Sequence, residues 1–336
     1  MLRARPGTRG VIRMRAIRVA EYGGPEVLVP VEVPDPVPGE GEVVVRAEAV
    51  DTLHVETQIR RGDWGEAFGI PPPYVPGGAA AGTVVSVGPG VDPAWTGHRV
   101  VAGAGTKGAY AELVRTGVDR LVPVPEGLGS REAAALAHDG VTGIGIMEAI
   151  AVKPGDRVLI LGAAGGMGTL LVQIAHSAGA QVVGAARGPQ KLALVRRLGA
   201  DAVVDYTEGD WTQHVRNAFG GMPVDVLLDG VGGELGTLAF GLVADGGRVS
   251  AHGAPSGGFA ELDQESARRR GIALRGIADV QYDAPEIVRL TAKALAEAAA
   301  GRLHPVIAEE FPLSRAADAH HAIEARSVLG KALLIP

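Results

Sequence analysis

Cysteine is missing from all 336 residues of the sequence, which excludes disulfide bonds, cysteine-ligated zinc and cysteine nucleophiles. No apolar run reaches the roughly eighteen residues that a membrane-spanning helix needs. The net charge of −6 gives no electrostatic reason to bind nucleic acid or an anionic membrane. We therefore expect neither partner. The missing cysteine fits a reducing compartment, so we expect a cytoplasmic protein.

What the sequence does contain is an ordinary globular composition, 46% hydrophobic and 21% charged, with 50 glycines that cluster at turns. The length suggests two domains. The first residues, MLRARPGTRGVIR, are rich in arginine and lack the apolar segment of a secretory signal. We predict that residues 1–13 form a disordered leader or an over-long start, with a short organellar transit peptide as the alternative.

From Met14 to about residue 135 the pattern is one of short, valine-rich β segments separated by proline and glycine turns. The predicted strands are 16–20, 27–33, 42–50, 81–87, 98–102 and 109–114, with one helix at 52–61. A serine-capped helix starts at Ser130. The first part of the chain is therefore predicted to be a β-rich domain.

Beyond Ser130, strands and helices alternate with short connections, which is typical of a parallel, doubly wound sheet. The predicted strands are 157–163, 181–186, 202–205, 224–231, 247–252 and 273–277, and the helices are 167–178, 190–198, 211–219 and 234–243. The last sixty or so residues do not extend that sheet. They are predicted as a helix at 285–300, a strand at 306–311, a helix at 314–325 and a strand at 332–335.

The segment RVLILGAAGGMGTLLVQIAHSAG, residues 157–179, combines a buried strand, a small-residue turn and an amphipathic helix. In this context a glycine turn binds a pyrophosphate on the first helical N–H groups. Gly165 would let the phosphates approach the backbone, and Gly168 would let the helix pack closely on the strand. The predicted cofactor contacts here are Ala164, Gly165, Gly166, Met167 and Gly168.

Six motifs, spread over almost the whole chain, are similar to those of a known family: EYGGPEVL, PYVPGGAAAGTVVSVGPGV, GAYAELV, AAGGMG, LGAD…DY and FPLSRAADAH…GKALL. From Met14 onward the chain resembles the medium-chain dehydrogenase/reductase superfamily, in its zinc-independent quinone oxidoreductase branch. The resemblance implies an α/β protein with a discontinuous GroES-like β-rich catalytic domain and a doubly wound Rossmann domain with a six-stranded parallel sheet. The corresponding ranges are 14–135 for the catalytic domain, 136–278 for the NADPH-binding domain and 279–336 for the return to the first.

Metal-binding side chains are absent where the zinc-dependent branch of this superfamily has them. Pro76-Gly77-Gly78-Ala79 stands in place of Pro-Gly-His-Glu, and the cysteine ligand near 49–51 is missing. We therefore predict no metal and no zinc-assisted alcohol oxidation. His54, Glu56, His138 and Asp139 are a weaker alternative for a site.

The expected cofactor is NADPH. The second strand of the Rossmann unit ends in Ala186-Arg187, without the carboxylate that binds a ribose 2′-hydroxyl. Arg187 and Lys191 are predicted to pair with a 2′-phosphate, although the sequence also allows them to be ordinary surface residues. Resemblance adds Tyr206 to this pocket. At the nicotinamide end it implies contacts from Thr142, Gly230, Val231, His252, Gly253, Ala254 and Lys331. The sequence equally allows Thr142 to cap its helix or to hydrogen-bond within it.

The substrate side departs from the family, which commonly has an asparagine and a tyrosine where this chain has Leu53 and Gln58. Pocket candidates by position alone are His54, Gln58, Trp64, Asp139 and Tyr282. The expected activity is NADPH-dependent hydride transfer to a quinone or an α,β-unsaturated carbonyl. Alternatives are an enoyl-thioester or tailoring reductase of the same superfamily and a non-catalytic NADPH-binding sensor or scaffold. Relatives pair through the Rossmann domain, so the resemblance also implies a homodimer.

Overall fold

The computed structural model describes residues 13–64 and 68–336, and within them fifteen strands and ten helices. The predicted leader therefore lies outside the described residues, apart from Arg13, which begins the first strand. This strand, β1 (Arg13–Val19), pairs with β2 (Leu28–Pro34) in an antiparallel ribbon and forms isolated bridges to Ala111 and Tyr74. No helix in the described ranges is long and apolar enough to cross a membrane.

Both ends of the chain contribute to one seven-stranded sheet. Its strands are β3 (Glu42–Asp51), β4 (Ala79–Val87), β5 (Arg99–Gly103), β6 (Leu113–Gly117), β7 (Leu121–Pro123), β14 (Ile307–Pro312) and β15 (Lys331–Ile335). The last strand, β15, runs antiparallel to β3 and pairs Leu333 with Asp51. The late return of the chain, predicted from the sequence, thus brings Lys331 beside the end of β3.

The central part of the chain forms a six-stranded parallel sheet, as predicted. Its strands are β8 (Arg157–Leu161), β9 (Gln181–Ala186), β10 (Ala202–Asp205), β11 (Val224–Asp229), β12 (Val243–Ala251) and β13 (Ala273–Gly276). The spatial order β10-β9-β8-β11-β12-β13 reverses direction at β8. A ligand crevice is expected beyond the carboxyl ends of the strands at such a reversal. The exact domain boundaries stay predictions.

Helices cover the two faces of this sheet and the junction between the sheets. They are α1 (His54–Arg61), α2 (Ser130–Leu136), α3 (Asp139–Ile150), α4 (Gly166–Ser177), α5 (Pro189–Arg197), α6 (Trp211–Ala218), α7 (Gly233–Phe240), α8 (Gln264–Arg269), α9 (Ala284–Ala299) and α10 (Ala316–Glu324). One apolar cluster joins α2, α3 and α9 to Ala49, Ala79 and Leu333 of the β-rich sheet. Burial of this shared cluster holds the two sheets together.

Helix α3 was not predicted, for a physical reason. It is apolar on nearly all sides, so it lacks the one-sided pattern by which a surface helix is recognised. Its glycines permit close packing: an added Cβ at Gly140 would lie 2.8 Å from the Cβ of Ala294 on α9. Gly143 faces Met167 and Leu171 of α4.

Several other element predictions are wrong in their bounds or missing. The strand predicted at 109–114 lies at Leu113–Gly117, and β7 and α8 were not predicted. Strand β12 begins at Val243, not at 247, because α7 ends at Phe240. Short elements of this kind have too few residues to show a period.

Candidate functional site

The glycine turn after β8 has the shape of a phosphate-binding turn. Gly162 adopts a left-handed φ of +71°, which glycine tolerates without strain. A Cβ on Gly168 would lie 2.2 Å from the carbonyl oxygen of Gly162, so the first turn of α4 packs directly on the strand end. Gly165 is exposed and Gly166 and Met167 are half-buried. The N-terminus of α4 is therefore open to an anion.

Two further turns lie at the same edge of the parallel sheet, after β11 and β12. The carboxylate of Asp229 accepts hydrogen bonds from the N–H groups of Val231 and Gly232, both at 2.9 Å. A Cβ on Gly253 would lie 2.1 Å from the carbonyl carbon of Gly230, so the two turns touch through their backbones. The predicted contacts from Gly230 to Ala254 thus share one wall of the crevice.

His252 lies in this wall and is buried. Burial disfavours the imidazolium and lowers the pKa of His252 to about 4, so the ring is neutral near pH 7. Its Nδ1 lies 3.1 Å from Ser250 Oγ, while Nε2 has no hydrogen-bond partner within the described ranges. A buried nitrogen without a partner is unfavourable, and a polar group of a bound ligand would satisfy it.

Three positive charges, those of Arg187, Lys191 and Arg326, lie near one another beyond the ends of β9 and β10, and the two arginines also lie near Tyr206. Burial, together with the charges of Arg187 and Arg326, lowers the pKa of Lys191. Burial raises the pKa of Tyr206, against the opposing effect of the same two arginines. Mutual repulsion of this kind is relieved when an anion binds among the cations. The predicted residues Arg187, Lys191 and Tyr206 are therefore brought together.

Asp205 is the acidic residue at the end of β10, but its carboxylate is already engaged. It accepts hydrogen bonds from the N–H groups of Gly188 at 2.8 Å and Thr207 at 2.9 Å, and from the Thr207 hydroxyl at 2.6 Å. These bonds leave little capacity to accept from a ribose diol. Asp205 thus serves mainly to hold the turns that follow β9 and β10.

Arg326 was not anticipated from the sequence. It follows α10, has a left-handed φ of +55°, and donates from Nη2 to the Pro255 carbonyl oxygen at 2.7 Å. Its own carbonyl accepts from Lys191 Nζ at 2.7 Å. A non-glycine residue with this backbone conformation is uncommon and often marks a functional position. No local motif signals it, because its partners are more than seventy residues away.

A buried ionic network lies where the two sheets meet. Lys331 Nζ is 2.5 Å from Asp51 Oδ1 and 3.0 Å from Asp139 Oδ2, while Asp51 Oδ2 is 2.7 Å from His138 Nδ1. Gly166, at the start of α4, adjoins it, since an added Cβ there would lie 2.1 Å from Asp139 Oδ2. The network therefore borders the phosphate-binding turn.

The charges of this network are stabilised to different extents. Burial tends to raise the pKa of Asp51, but Lys331 and His138 outweigh it and hold that pKa below its usual value. Burial raises the pKa of Asp139, only partly opposed by Lys331. Burial lowers the pKa of Lys331 less than the two carboxylates raise it, so its ammonium is retained. A lysine so paired has limited capacity to contact a cofactor as well.

A second buried network lies beneath α1. The Tyr110 hydroxyl donates to Glu56 Oε2 at 2.7 Å and lies 2.9 Å from His320 Nε2. Burial, followed by the negative charge of Asp51, raises the pKa of Glu56 to about 7. Burial, with the charges of Arg60 and His54, lowers the pKa of His320 to about 3. His320 is therefore neutral near pH 7, whereas Glu56 changes its protonation state in that pH range.

The substrate-pocket candidates do not form one cluster. His54, at the start of α1, lies near Arg326, whose charge together with burial lowers the His54 pKa. Gln58 follows one turn later, and Trp64 packs edge-on against Phe259, with ring centroids 6.4 Å apart. Tyr282 instead lies against Gly145 of α3 and lines an open depression with Asp283 and Arg289. Asp139 belongs to the ionic network.

The weaker metal alternative is not supported by the geometry. His54, Glu56, His138 and Asp139 do not bring their donor atoms together. Within the described ranges, the group with suitable spacing is Glu208, Asp210 and His214, all exposed. Gly78 and Ala79 carry no donor atoms, and a Cβ on Gly78 would lie 2.8 Å from His138 Nε2.

The crevice as a whole fits a phosphorylated dinucleotide. It offers free helix N–H groups for a pyrophosphate, three cations for a further phosphate, and the unpartnered Nε2 of His252 for a polar ring substituent. Thr142, whose N–H donates to the His138 carbonyl at 2.9 Å, lies one helical turn from the ionic network. These features occupy successive parts of one edge of the sheet.

Comparison with known proteins gives matches over nearly the whole chain. Residues 39–126 match the family model "Alcohol dehydrogenase GroES-like domain", and residues 166–293 match "Zinc-binding dehydrogenase". The chain is 31% identical to the quinone oxidoreductase of Rattus norvegicus, over 96% of this chain and 98% of that protein. It is 33% identical to a 2-haloacrylate reductase of Burkholderia sp, over 95% and 98%. The structure of Escherichia coli quinone oxidoreductase complexed with NADPH superposes with a TM-score of 0.88 at 28% identity, covering 96% of this chain and 100% of that one.

Proposed function

Since the chain belongs to the quinone oxidoreductase branch of the medium-chain dehydrogenase/reductase superfamily, we propose that it uses NADPH to reduce a quinone or an α,β-unsaturated carbonyl. Membership makes it an oxidoreductase that binds a nicotinamide dinucleotide. The choice of phosphate form, the acceptor and the absence of zinc are parts of the proposal.

The observation that carries the proposal is the cation cluster of Arg187, Lys191 and Arg326 near Tyr206. Guanidinium and ammonium groups bind a dianionic 2′-phosphate through charge-assisted hydrogen bonds, which neutral hydroxyls cannot replace. The nearby Asp205 is engaged with backbone and hydroxyl groups. The Escherichia coli neighbour, itself complexed with NADPH, supports the same cofactor.

When bound, a reduced nicotinamide supplies a hydride to an electron-poor carbon. This chain's residues then have to hold the cofactor and place the acceptor beside its ring. The α4 N-terminus would bind the pyrophosphate, and Gly230–Val231 with His252–Ala254 would form the wall behind the ring. Gly78 and Ala79 offer no zinc ligand, which suits an acceptor that is activated by its own carbonyl. The 2-haloacrylate reductase relative supports an activated alkene as one such acceptor.

Two measurements test the proposal. The first compares the dissociation constants of NADPH and NADH, and we expect NADPH to bind more tightly. The second follows NADPH oxidation with 1,4-benzoquinone, a simple enone and an enoyl thioester. Turnover of the first two supports the proposal, whereas turnover of the thioester alone favours the enoyl-thioester alternative.

Tight NADPH binding with no acceptor reduced would favour the sensor or scaffold alternative. Stronger binding of NADH would contradict the assigned pocket. The homodimer through the Rossmann domain and the cytoplasmic location stay predictions. Light scattering of the purified chain, with a monomer as the contrary result, tests the first of these.

A further inference from the structure

We propose that His138 is the general acid that protonates the α-carbon of an unsaturated carbonyl substrate, and that Asp51 positions its ring. The inference rests on the proposed reductase function and adds a residue with a chemical role to it. It concerns a side chain on the substrate side of the site, where no acid had been assigned.

A buried carboxylate fixes the orientation of the His138 ring. Asp51, at the end of β3, is 1% exposed, and its Oδ2 accepts from His138 Nδ1 at 2.7 Å. Its Oδ1 contacts Lys331 Nζ at 2.5 Å, so the carboxylate cannot swing away without breaking a buried ion pair. With Nδ1 occupied, the second nitrogen, Nε2, is left to carry the proton that is transferred.

His138 lies close to the residue that is expected to contact the nicotinamide. His138 immediately precedes α3, and Thr142, the candidate for the nicotinamide carboxamide, lies one turn later. Residues four apart on a helix share a face. The ring edge at Nε2 lies over Gly78, where any side chain would collide with it. The His138 side chain is nevertheless 32% exposed, so the ring is not enclosed in a core.

The charges around His138 favour its protonated form. The charged groups that face His138 are Asp51, Asp139, Glu56 and Lys331. Asp51 favours the imidazolium, as do Asp139 and Glu56 when they are ionised, and Lys331 opposes it. Burial also opposes the charge, but the hydrogen bond and the charge of Asp51 outweigh both and raise the pKa of His138. The other histidines near the crevice, His54, His252 and His320, have lowered pKa values. Of these four, His138 is the one whose pKa is raised.

Reduction of an enone requires a hydride at the β-carbon and a proton at the α-carbon. Hydride addition at the β-carbon moves the alkene π pair into an enolate. The Nε2–H bond of His138 breaks as a C–H bond forms at the α-carbon, which uses the enolate electron pair. The neutral imidazole then takes a proton from water. A quinone needs no such acid, because the hydroquinone anion is a far weaker base and is protonated by water after release.

The experiment uses the full chain with NADPH and compares H138Q with wild type on two acceptors, a 2-methyl enone and 1,4-benzoquinone. Glutamine can keep a hydrogen bond to Asp51 but cannot donate a proton as an acid. We expect enone turnover to fall by about 10²- to 10⁴-fold, the usual contribution of a general acid, with quinone turnover largely kept. H214Q, on the exposed face of α6, is the matched control and should leave both activities unchanged.

A second readout separates proton delivery from a structural effect. In D₂O, wild type should place deuterium on one face of the α-carbon, whereas H138Q should give both configurations at that carbon. Equal losses of enone and quinone turnover, or unchanged stereochemistry in H138Q, would overturn the assignment. If wild type reduces neither acceptor, it is the reductase function itself that fails.

A third readout needs no turnover. Titration of the His138 ring by NMR, assigned through its absence from H138Q, should show a pKa above the ordinary histidine value. D51N should lower this pKa and shift the falling, alkaline limb of the enone pH profile to lower pH. An ordinary pKa that D51N leaves unchanged would refute the positioning role of Asp51.

Discussion

Replacing Glu56 with glutamine should make the free energy of unfolding less sensitive to pH above pH 5. Glu56 is buried and accepts hydrogen bonds from the Tyr110 hydroxyl at 2.7 Å and the Leu53 N–H at 2.9 Å, both at Oε2. Burial and the charge of Asp51 raise its pKa from 4.5 to about 7. The folded state therefore holds this proton more tightly than the unfolded chain does.

The difference between the folded and unfolded pKa values of Glu56 sets the sign and the size of the change in the free energy of unfolding. A raised pKa contributes stability that is fully present below about pH 4.5 and is lost as the pH rises through about 7. Linkage with these two values gives a loss of about 2.5 kcal/mol between pH 5 and pH 8. Glutamine does not ionise and so does not lose this contribution. Relative to wild type, E56Q should gain about 2.5 kcal/mol over that interval.

The assay is urea unfolding of both proteins at half-unit steps from pH 5 to pH 8, followed by tryptophan fluorescence. The control is E297Q, which removes an exposed glutamate whose pKa is lowered by its hydrogen bond to Arg302. This control should show no gain with rising pH. A constant difference between E56Q and wild type across the interval would refute the proposed protonation of Glu56.

Three further predictions concern the cofactor pocket and the buried histidine. R326A should weaken NADPH binding by about 10- to 150-fold, which is the contribution of one charge-assisted hydrogen bond, and should leave NADH binding nearly unchanged. Isothermal calorimetry measures both dissociation constants, and R315A serves as the control. G168A should lower the free energy of unfolding by about 1–3 kcal/mol because its Cβ would collide with Gly162, whereas G165A, with 3.4 Å of room, should not. Since the pKa of His320 is lowered to about 3, wild type loses stability as the pH falls below about 6.5, and H320Q should be relatively more stable by about 2 kcal/mol at pH 5 than at pH 8. No such difference in urea unfolding would contradict the neutral His320.

The parallel sheet and its glycine turn were predictable from the sequence because their signals are local. Strands β9 and β10 have the predicted bounds, since a short apolar run between turns is enough to define them. The close approach at Gly168 also follows from local stereochemistry, as a turn that enters a helix leaves no room for a Cβ. Helix α3 escaped prediction because it is buried on several sides and has no polar face.

The charged site could not be predicted in the same way. Asp51, His138 and Lys331 are far apart in sequence and meet only because β15 returns to pair with β3. Arg326 joins Lys191 because the segment after α10 passes beside α5. Residue types and their spacing determined the fold and the kind of cofactor to expect. Which charges pair, and which histidine has a raised pKa, depend on burial and on distances that only the tertiary structure defines.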